Sequence, residues 1–351
     1  MKKNSRSLSR FSSNRLVKTF FSLCAALCIS LLLWAQTPTS TVQLPDSNHA
    51  LTFYANQTND NLTKTFQAAI ESAQDSILMI TYSISDHTII DCLNKQAESG
   101  IPVKLICDAK TSPRLEQRLS PHVHLVKKYE KGLMHQKILI VDHRNVWLGS
   151  ANMTSDSLKM HGNLVQGINS QELAAFLEKK AAVHEGQAGR LPFQDTFTVG
   201  NQAVEIWWLP CDQTAVQRLQ KLIDSAKKTV RVAMFTWTRY DLARSIIEAA
   251  RRQVDTEVVI DYQAGRGAGA KIVALLKEYN IKVFLSRPGP LLHHKFLYID
   301  GEILVNGSAN WTKAAFTQND DCFIVIEGLT ESQKLQMDEL WETIRSDAQP
   351  P

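Results

Sequence analysis

Two stretches of this chain carry the same reactive side chains at the same spacing. They are His135-Gln136-Lys137 with Asp142, and His293-His294-Lys295 with Asp300. Seven residues beyond each Asp stands a Gly-Ser-x-Asn tetrad, Gly149-Ser150-Ala151-Asn152 and Gly307-Ser308-Ala309-Asn310. The residue types suit phosphoryl chemistry. A phosphodiester carries one negative charge and gains more when attacked, so the Lys ammoniums and Asn amides can hold its oxygens and stabilise that charge. One imidazole can attack phosphorus while a second protonates the departing oxygen, a division that needs two histidines face to face. Nothing in the set requires a metal or an organic cofactor, and no carboxylate cluster exists to bind one.

In each stretch His and Lys are two residues apart, so on a strand they share a face. The runs that follow, Ile138 to Val141 and Phe296 to Ile299, are apolar throughout, as a strand buried on both faces should be. Upstream the chain repeats itself. Ile77 to Tyr82 is a β-type run after a helical stretch, Leu62 to Ala73, and Val230 to Phe235 follows a similar stretch, Thr214 to Ala226. Each leads to a second helix pattern and then a strand ending in Cys107-Asp108 or Ile260-Asp261. The copies are offset by 153 here and by 158 from His135/His293 to Ile168/Ile326, with Gly265 to Gly269 absorbing the difference. Strands alternating with helices predict an α/β fold in which two pseudo-symmetric domains each hold a central mixed β-sheet flanked by helices. The boundaries read as a signal peptide or membrane anchor over 1–35, a linker over 36–50, a first half over 51–170, a helical-then-loop connector over 171–200, a second half over 201–330, and a C-terminal helix and tail over 331–351.

The charge of +4 is unevenly placed. Lys2, Lys3, Arg6, Arg10, Arg15 and Lys18 precede every acid; without them 33 basic residues face 35 acidic ones. A near-neutral body argues against non-specific nucleic-acid binding, which needs cations along a phosphate track. Arg239, Arg244, Arg251 and Arg252 read as a solvated helix face. Phe20 to Ala35 is almost wholly apolar after basic residues, the pattern of a secretory signal or an uncleaved anchor, and the anchor is favoured. The catalytic body is therefore expected outside the cytoplasm, membrane-anchored or secreted. Cys92, Cys107, Cys211 and Cys322 match no metal spacing and read as free thiols. Trp207, Trp208 and Trp237 read as core, whereas Trp311, directly after Asn310, has the best claim to a cleft.

Taken together the paired His-x-Lys-x4-Asp and Gly-Ser-x-Asn sets resemble the phospholipase D superfamily, over residues 51–330. The resemblance implies that His135 and His293 are nucleophile and general acid. It implies that Lys137, Lys295, Asn152 and Asn310 bind phosphate, that Ser150 and Ser308 line the same site, and that Asp142 and Asp300 belong to the catalytic motif, more as anchors than as proton carriers. Both halves would form one site within a monomer. Members of the superfamily place an acid about 28 residues after the His to orient it. Asp321 stands there in the second copy and Asn163 in the first. The expectation is that Asp321 serves His293 and Asn163 serves His135. Since a carboxylate favours the charged ring, His293 would be the acid and His135 the nucleophile.

The resemblance leaves several readings of function. Hydrolysis of a phospholipid headgroup ester to phosphatidic acid, at a membrane, is favoured by the apolar segment and the non-basic body. A metal-independent endonuclease, a cardiolipin-synthase-like phosphatidyl transferase and an inactive headgroup-binding module are the alternatives.

Overall fold

The computed structural model describes residues 42–58, 60–129, 131–183 and 192–351. The expected signal or anchor over 1–35, the start of the linker and the middle of the connector lie outside the described residues. Among the described residues no helix is long and apolar enough to cross a membrane. Residues 43–351 form one compact unit containing two sheets.

In the first half the elements are β1 (Leu51–Ala55), α1 (Leu62–Glu71), β2 (Ile77–Thr81), α2 (His87–Glu98), β3 (Val103–Asp108), β4 (Val123–Lys128), β5 (Lys137–Val141), β6 (Asn145–Gly149), α3 (Ser155–Lys159), β7 (Leu164–Asn169) and α4 (Gln171–Val183). The second half has β8 (Gln194–Val199), β9 (Gln202–Trp208), α5 (Asp212–Ser225), β10 (Thr229–Met234), α6 (Tyr240–Arg251), β11 (Asp255–Ile260), α7 (Tyr262–Arg266), α8 (Ala270–Glu278), β12 (Lys282–Leu285), β13 (Lys295–Ile299), β14 (Ile303–Gly307), α9 (Lys313–Thr317), β15 (Cys322–Glu327) and α10 (Glu331–Asp347).

The sheet orders are β1-β7-β6-β5-β2-β3-β4 and β12-β11-β10-β13-β14-β15-β9-β8. In both, two strand pairs are parallel and the rest antiparallel, so the sheets are mixed as expected. Helices form where apolar residues recur at helical spacing. In α6, Leu242, Ala243, Ile246 and Ile247 are buried in the second-half core, and in α1, Leu62, Phe66, Ala69 and Ile70 are buried. Side-chain caps fix the starts of α1 and α2, where Asn61 accepts from Lys64 N and Asp86 from Ile89 N.

One expectation needs correction. The end of the connector is β8, a strand, because Thr196 and Thr198 favour extended backbone and the Gly200 turn, at φ 58°, folds it onto β9 as an edge hairpin. The extra residues near Gly265 to Gly269 accommodate a pair of helices, α7 and α8, where the first half has only a 3₁₀ turn, Leu115–Gln117.

The cysteines follow the sequence reading: Cys92, Cys107 and Cys322 are buried free thiols and Cys211 is partly buried. Of the arginine cluster, Arg239 pairs with Asp212 and Asp241, Arg251 with Glu248 and Arg252 with Asp224.

Candidate active site

β5 and β13 lie inside their sheets, each between two antiparallel neighbours, and every residue of both is buried. The histidines stand two residues ahead of them. Tyr82 N donates to Gln136 O at 3.0 Å, and Phe235 N to His294 O at 2.8 Å, extending the pairing of β5 with β2 and of β13 with β10 past the named strands. His135 and Lys137 therefore share one face, as do His293 and Lys295.

The loop leading to each histidine is held twice. Asp108, at the end of β3, accepts from Met134 N at 3.2 Å; its counterpart Asp261 accepts from Leu292 N at 3.0 Å. The second restraint comes from the opposite half. Met134 bridges Asp320, with His135 N donating to Asp320 O at 2.8 Å, and Leu292 bridges Gly162, with Gly162 N donating to Leu291 O at 2.8 Å. The segment between α3 and β7 thus lies along the second half's histidine loop, and that between α9 and β15 along the first half's.

This exchange corrects the expected histidine partners. His135 Nδ1 is 2.7 Å from Asp321 Oδ1, and His293 Nδ1 is 3.0 Å from Asn163 Oδ1. Asp321 serves His135 and Asn163 serves His293, the reverse of the expectation. The residues after each Gly-Ser-x-Asn tetrad pair across the seam, not with their own strand. In both pairs the ring donates. Asp321 can only accept, and Asn163 uses its Nδ2 to donate to Ser157 O and His161 O at 2.8 and 3.0 Å, leaving Oδ1 as the acceptor. Both rings then carry their proton on Nδ1 and keep the Nε2 lone pair for chemistry.

The serines are corrected too. Ser150 Oγ donates to Asn163 Oδ1 at 2.8 Å and accepts from Leu164 N at 3.1 Å; Ser308 Oγ donates to Asp321 Oδ1 at 2.6 Å and accepts from Cys322 N at 3.0 Å. Fully buried and engaged on both sides, they position Asn163 and Asp321 instead of touching phosphate. The preceding glycines have a packing reason. A Cβ at Gly149 would lie 2.3 Å from Leu164 O, and one at Gly307 2.3 Å from Cys322 O.

Asp142 and Asp300 sit beyond the far ends of β5 and β13, about five residues and roughly 16 Å of strand from the lysines. Asp142 accepts from the backbone amides of Gln74, Asp75 and Ser76, and Asp300 from those of Lys227, Lys228 and Thr229. Both have left-handed backbone, φ 54° and 55°, which Asp tolerates better than most residues. They anchor the turn and the loop entering β2 or β10, and leave the catalytic set.

Charge explains the rest of the site. Lys137 Nζ donates to His135 O and lies 5.1 Å above the Tyr82 ring; Lys295 Nζ donates to His293 O at 2.7 Å and lies 4.9 Å above the Phe235 ring. Burial lowers Lys137 to about 7, against a restoring pull from Asp321. Burial and the Lys137 charge hold Lys295 well below the usual lysine range. Lysines so lowered take up a proton when an anion comes near, because the negative charge favours their charged form. Burial and then Lys137 lower His135, with Asp321 opposing; burial and then Lys295 lower His293 much further. Burial pushes Asp321 up, but His135, Lys137 and Ser308 outweigh it and hold the carboxyl below its usual range.

Tyr82 and Phe235 were not singled out from sequence. Their rings lie 5.1 Å from the His135 and His293 rings, and their offset of 153, right after β2 and β10, was the available signal. Asn310 Oδ1 accepts from Thr236 N at 3.3 Å, next to Phe235, and Asn152 precedes Met153, whose N donates to Ser83 O, next to Tyr82. Both asparagines therefore stand beside the aromatic that touches a histidine. Trp311 does not line the cleft: it is 3% exposed in the second-half core, edge-on to Trp237 at 4.5 Å. Trp207, Trp208 and Trp237 are buried, as read from sequence. Among the described residues no His, Cys, Asp or Glu group could hold a metal ion.

A family model described as "Cardiolipin synthase, PLD-like domain" matches residues 66–183 and 219–341. Curated relatives named "Mitochondrial cardiolipin hydrolase" include one from Chlamydomonas reinhardtii, 30% identical over 134 residues, which are 38% of this chain and 60% of that protein. The Homo sapiens relative is 29% identical over 139 residues, 38% of this chain and 54% of its own length. The chain thus spans less than two thirds of the length of these relatives. The solved phosphatidylserine synthase of Haemophilus influenzae Rd KW20 superposes with a TM-score of 0.68 at 14% identity, covering 88% of each chain, a likeness of fold.

Proposed function

This chain belongs to the phospholipase D-like family, and from that premise we propose that it hydrolyses the headgroup phosphodiester of phospholipids to phosphatidic acid through a phosphohistidine. The carrying observation is that the opposite half fixes Nδ1 of both His135 and His293, which leaves each Nε2 for chemistry, with the two rings, Lys137 and Lys295 close enough to feel one another's charge. His135 Nε2 attacks phosphorus. As the N–P bond forms, the bond to the leaving alcohol breaks, and its oxygen takes the proton from His293 Nε2. Water then attacks: His293 Nε2 removes its proton, the new P–O bond forms, and the N–P electron pair returns to His135. Lys137, Lys295, Asn152 and Asn310 hold the phosphate oxygens throughout.

The crossed partners keep the expected roles on a different ground. Asp321 favours His135 as nucleophile, because its charge stabilises the positive ring formed when Nε2 bonds phosphorus. Asn163 lends His293 no such stabilisation, so a protonated His293 is the stronger acid and gives up its proton readily.

The lipid assignment rests on the relatives' names, and the membrane-anchored or secreted location on the apolar segment Phe20 to Ala35. The family description favours one variant, in which a lipid alcohol replaces water in the second step. The test is product analysis of purified protein on mixed phospholipids and plasmid DNA, with chelator present. Phosphatidic acid released at full rate is the expected result; plasmid cleavage without lipid turnover would transfer the assignment to the endonuclease reading.

A further inference from the structure

The pseudo-two-fold relation breaks at one position beside the cleft. His161 corresponds to Asn319, both two residues ahead of the histidine-orienting residue. Asn319 is fully engaged: its Oδ1 accepts from Leu133 N at 3.1 Å and its Nδ2 lies 3.5 Å from Asp321 Oδ2. His161 does its structural work with the main chain instead, its carbonyl accepting from Asn163 Nδ2 at 3.0 Å and Asn56 Nδ2 at 2.6 Å. The imidazole is thereby left for another task. Its centroid lies 6.4 Å from that of His293, tilted by 45°, and the side chain is only partly buried.

His293 and His135 are alike in burial, 7% and 6% exposed, each with an aromatic ring 5.1 Å away and a lysine beside it, but His293 has its Nδ1 tied to an amide where His135 has a carboxylate. For His293 to act as a general acid its Nε2 must be protonated before the substrate seats, and the ring is almost closed to solvent. Among the described residues His161 is the titratable group beside His293 that also reaches solvent. Asp156 and Asp261 favour the charged form of His161, while burial, the largest influence, and Lys295 oppose it. Each of its two ring nitrogens can take up or release a proton.

We propose that His161 is the proton relay of His293. A ring nitrogen of His161 takes a proton from solvent, and its other ring nitrogen releases one through a single water to His293 Nε2. One N–H bond forms on His293 as one breaks on His161, which ends neutral in its other tautomer. His293 then delivers that proton to the leaving oxygen. His161 is a positioning residue for a proton, acts on one half of the site only, and has no counterpart on the His135 side.

The inference rests on the two-histidine phosphodiesterase reading but not on the lipid assignment, so the test uses synthetic aryl methyl phosphodiesters with leaving phenols of graded acidity. Single-turnover phenol release is followed for wild type, H161N and H161G in the full chain. H161N installs the residue that the other half already carries, and its Tm should match wild type. The expected result is less than a twofold loss with p-nitrophenol, which leaves without a proton. The loss should grow to about tenfold as the phenol becomes more basic, with KM unchanged and free imidazole restoring H161G. A uniform loss across the series, a change confined to KM, failure of imidazole rescue, or H161N matching wild type would each overturn the relay. A wild-type chain inert to every diester would instead overturn the phosphodiesterase reading, and the relay with it.

Discussion

His135 and Asp321 are 186 residues apart in the chain, yet Nδ1 and Oδ1 meet at 2.7 Å with both side chains buried. The carboxylate comes from the segment ahead of β15 and the imidazole from the loop ahead of β5, so neither half holds this pair by itself. His293 and Asn163 repeat the arrangement at 3.0 Å with an amide in the carboxylate's place.

If Asp321 stabilises the phosphorylated ring, Asp321→Asn should lower kcat by up to about 10⁴-fold while leaving KM within a few-fold, the order of loss when a catalytic histidine loses its orienting carboxylate. Acid quench of labelled substrate should place phosphate on the His135 peptide. Label on the His293 peptide would reverse the two roles.

Both histidines of the proposed site lie in one chain, and their partners cross between halves of that same chain. His135→Ala and His293→Ala should each abolish turnover, and mixing the two inactive proteins should restore nothing. Recovery of about a quarter of wild-type activity would mean that the site forms between chains, against the monomer.

Removing Asp142 or Asp300 should cost stability without touching the chemistry. Each carboxylate receives three backbone amides, so Asp142→Ala or Asp300→Ala should destabilise by about 1–3 kcal/mol in denaturant unfolding. At temperatures where the variants remain folded, kcat should stay within about twofold. A large kcat loss in a fully folded variant would return these residues to the catalytic set.

Acid should weaken the fold from the histidine range downward. Burial holds the His294 ring at about 3, and His135 and His293 are also lowered. The folded values lie below the unfolded one, so the unfolded chain binds more protons as pH drops. The stability is full above about 6.5 and is lost toward the folded values, by about 1 kcal/mol per pH unit for each such ring. Asp321, also lowered, extends the loss into the carboxylate range. Urea unfolding of wild type and His294→Gln from pH 7 to pH 4 tests this, and the variant should show a shallower slope. Parallel slopes would mean that His294 is solvated or charged in the folded protein.

Much of this protein could be read from its residues in order. The duplication, the mixed α/β halves and the two strands carrying His and Lys on one face follow from patterns local in sequence: apolar runs of strand length, helical periodicity between them, and a fixed offset between copies. The burial of Trp207, Trp208 and Trp237 and the free cysteines follow from the same periodicity, whereas Trp311, expected at a cleft, is buried in the core. The partners of the histidines did not, because a spacing of 28 residues says that an orienting group exists without saying which ring it meets. That depends on how the two sheets abut, and the paired loops, Met134 against Asp320 and Leu292 against Gly162, carry Asp321 to His135 and Asn163 to His293. The same holds for Ser150 and Ser308, whose hydroxyls face the strand beside them, and for Asp142 and Asp300, which five buried residues of strand carry to the opposite end of the sheet. Sequence named the groups suited to phosphoryl chemistry. Packing across the seam decided which of them work together, because hydrogen bonds between distant segments depend on tertiary position, and the chain's local preferences do not encode it.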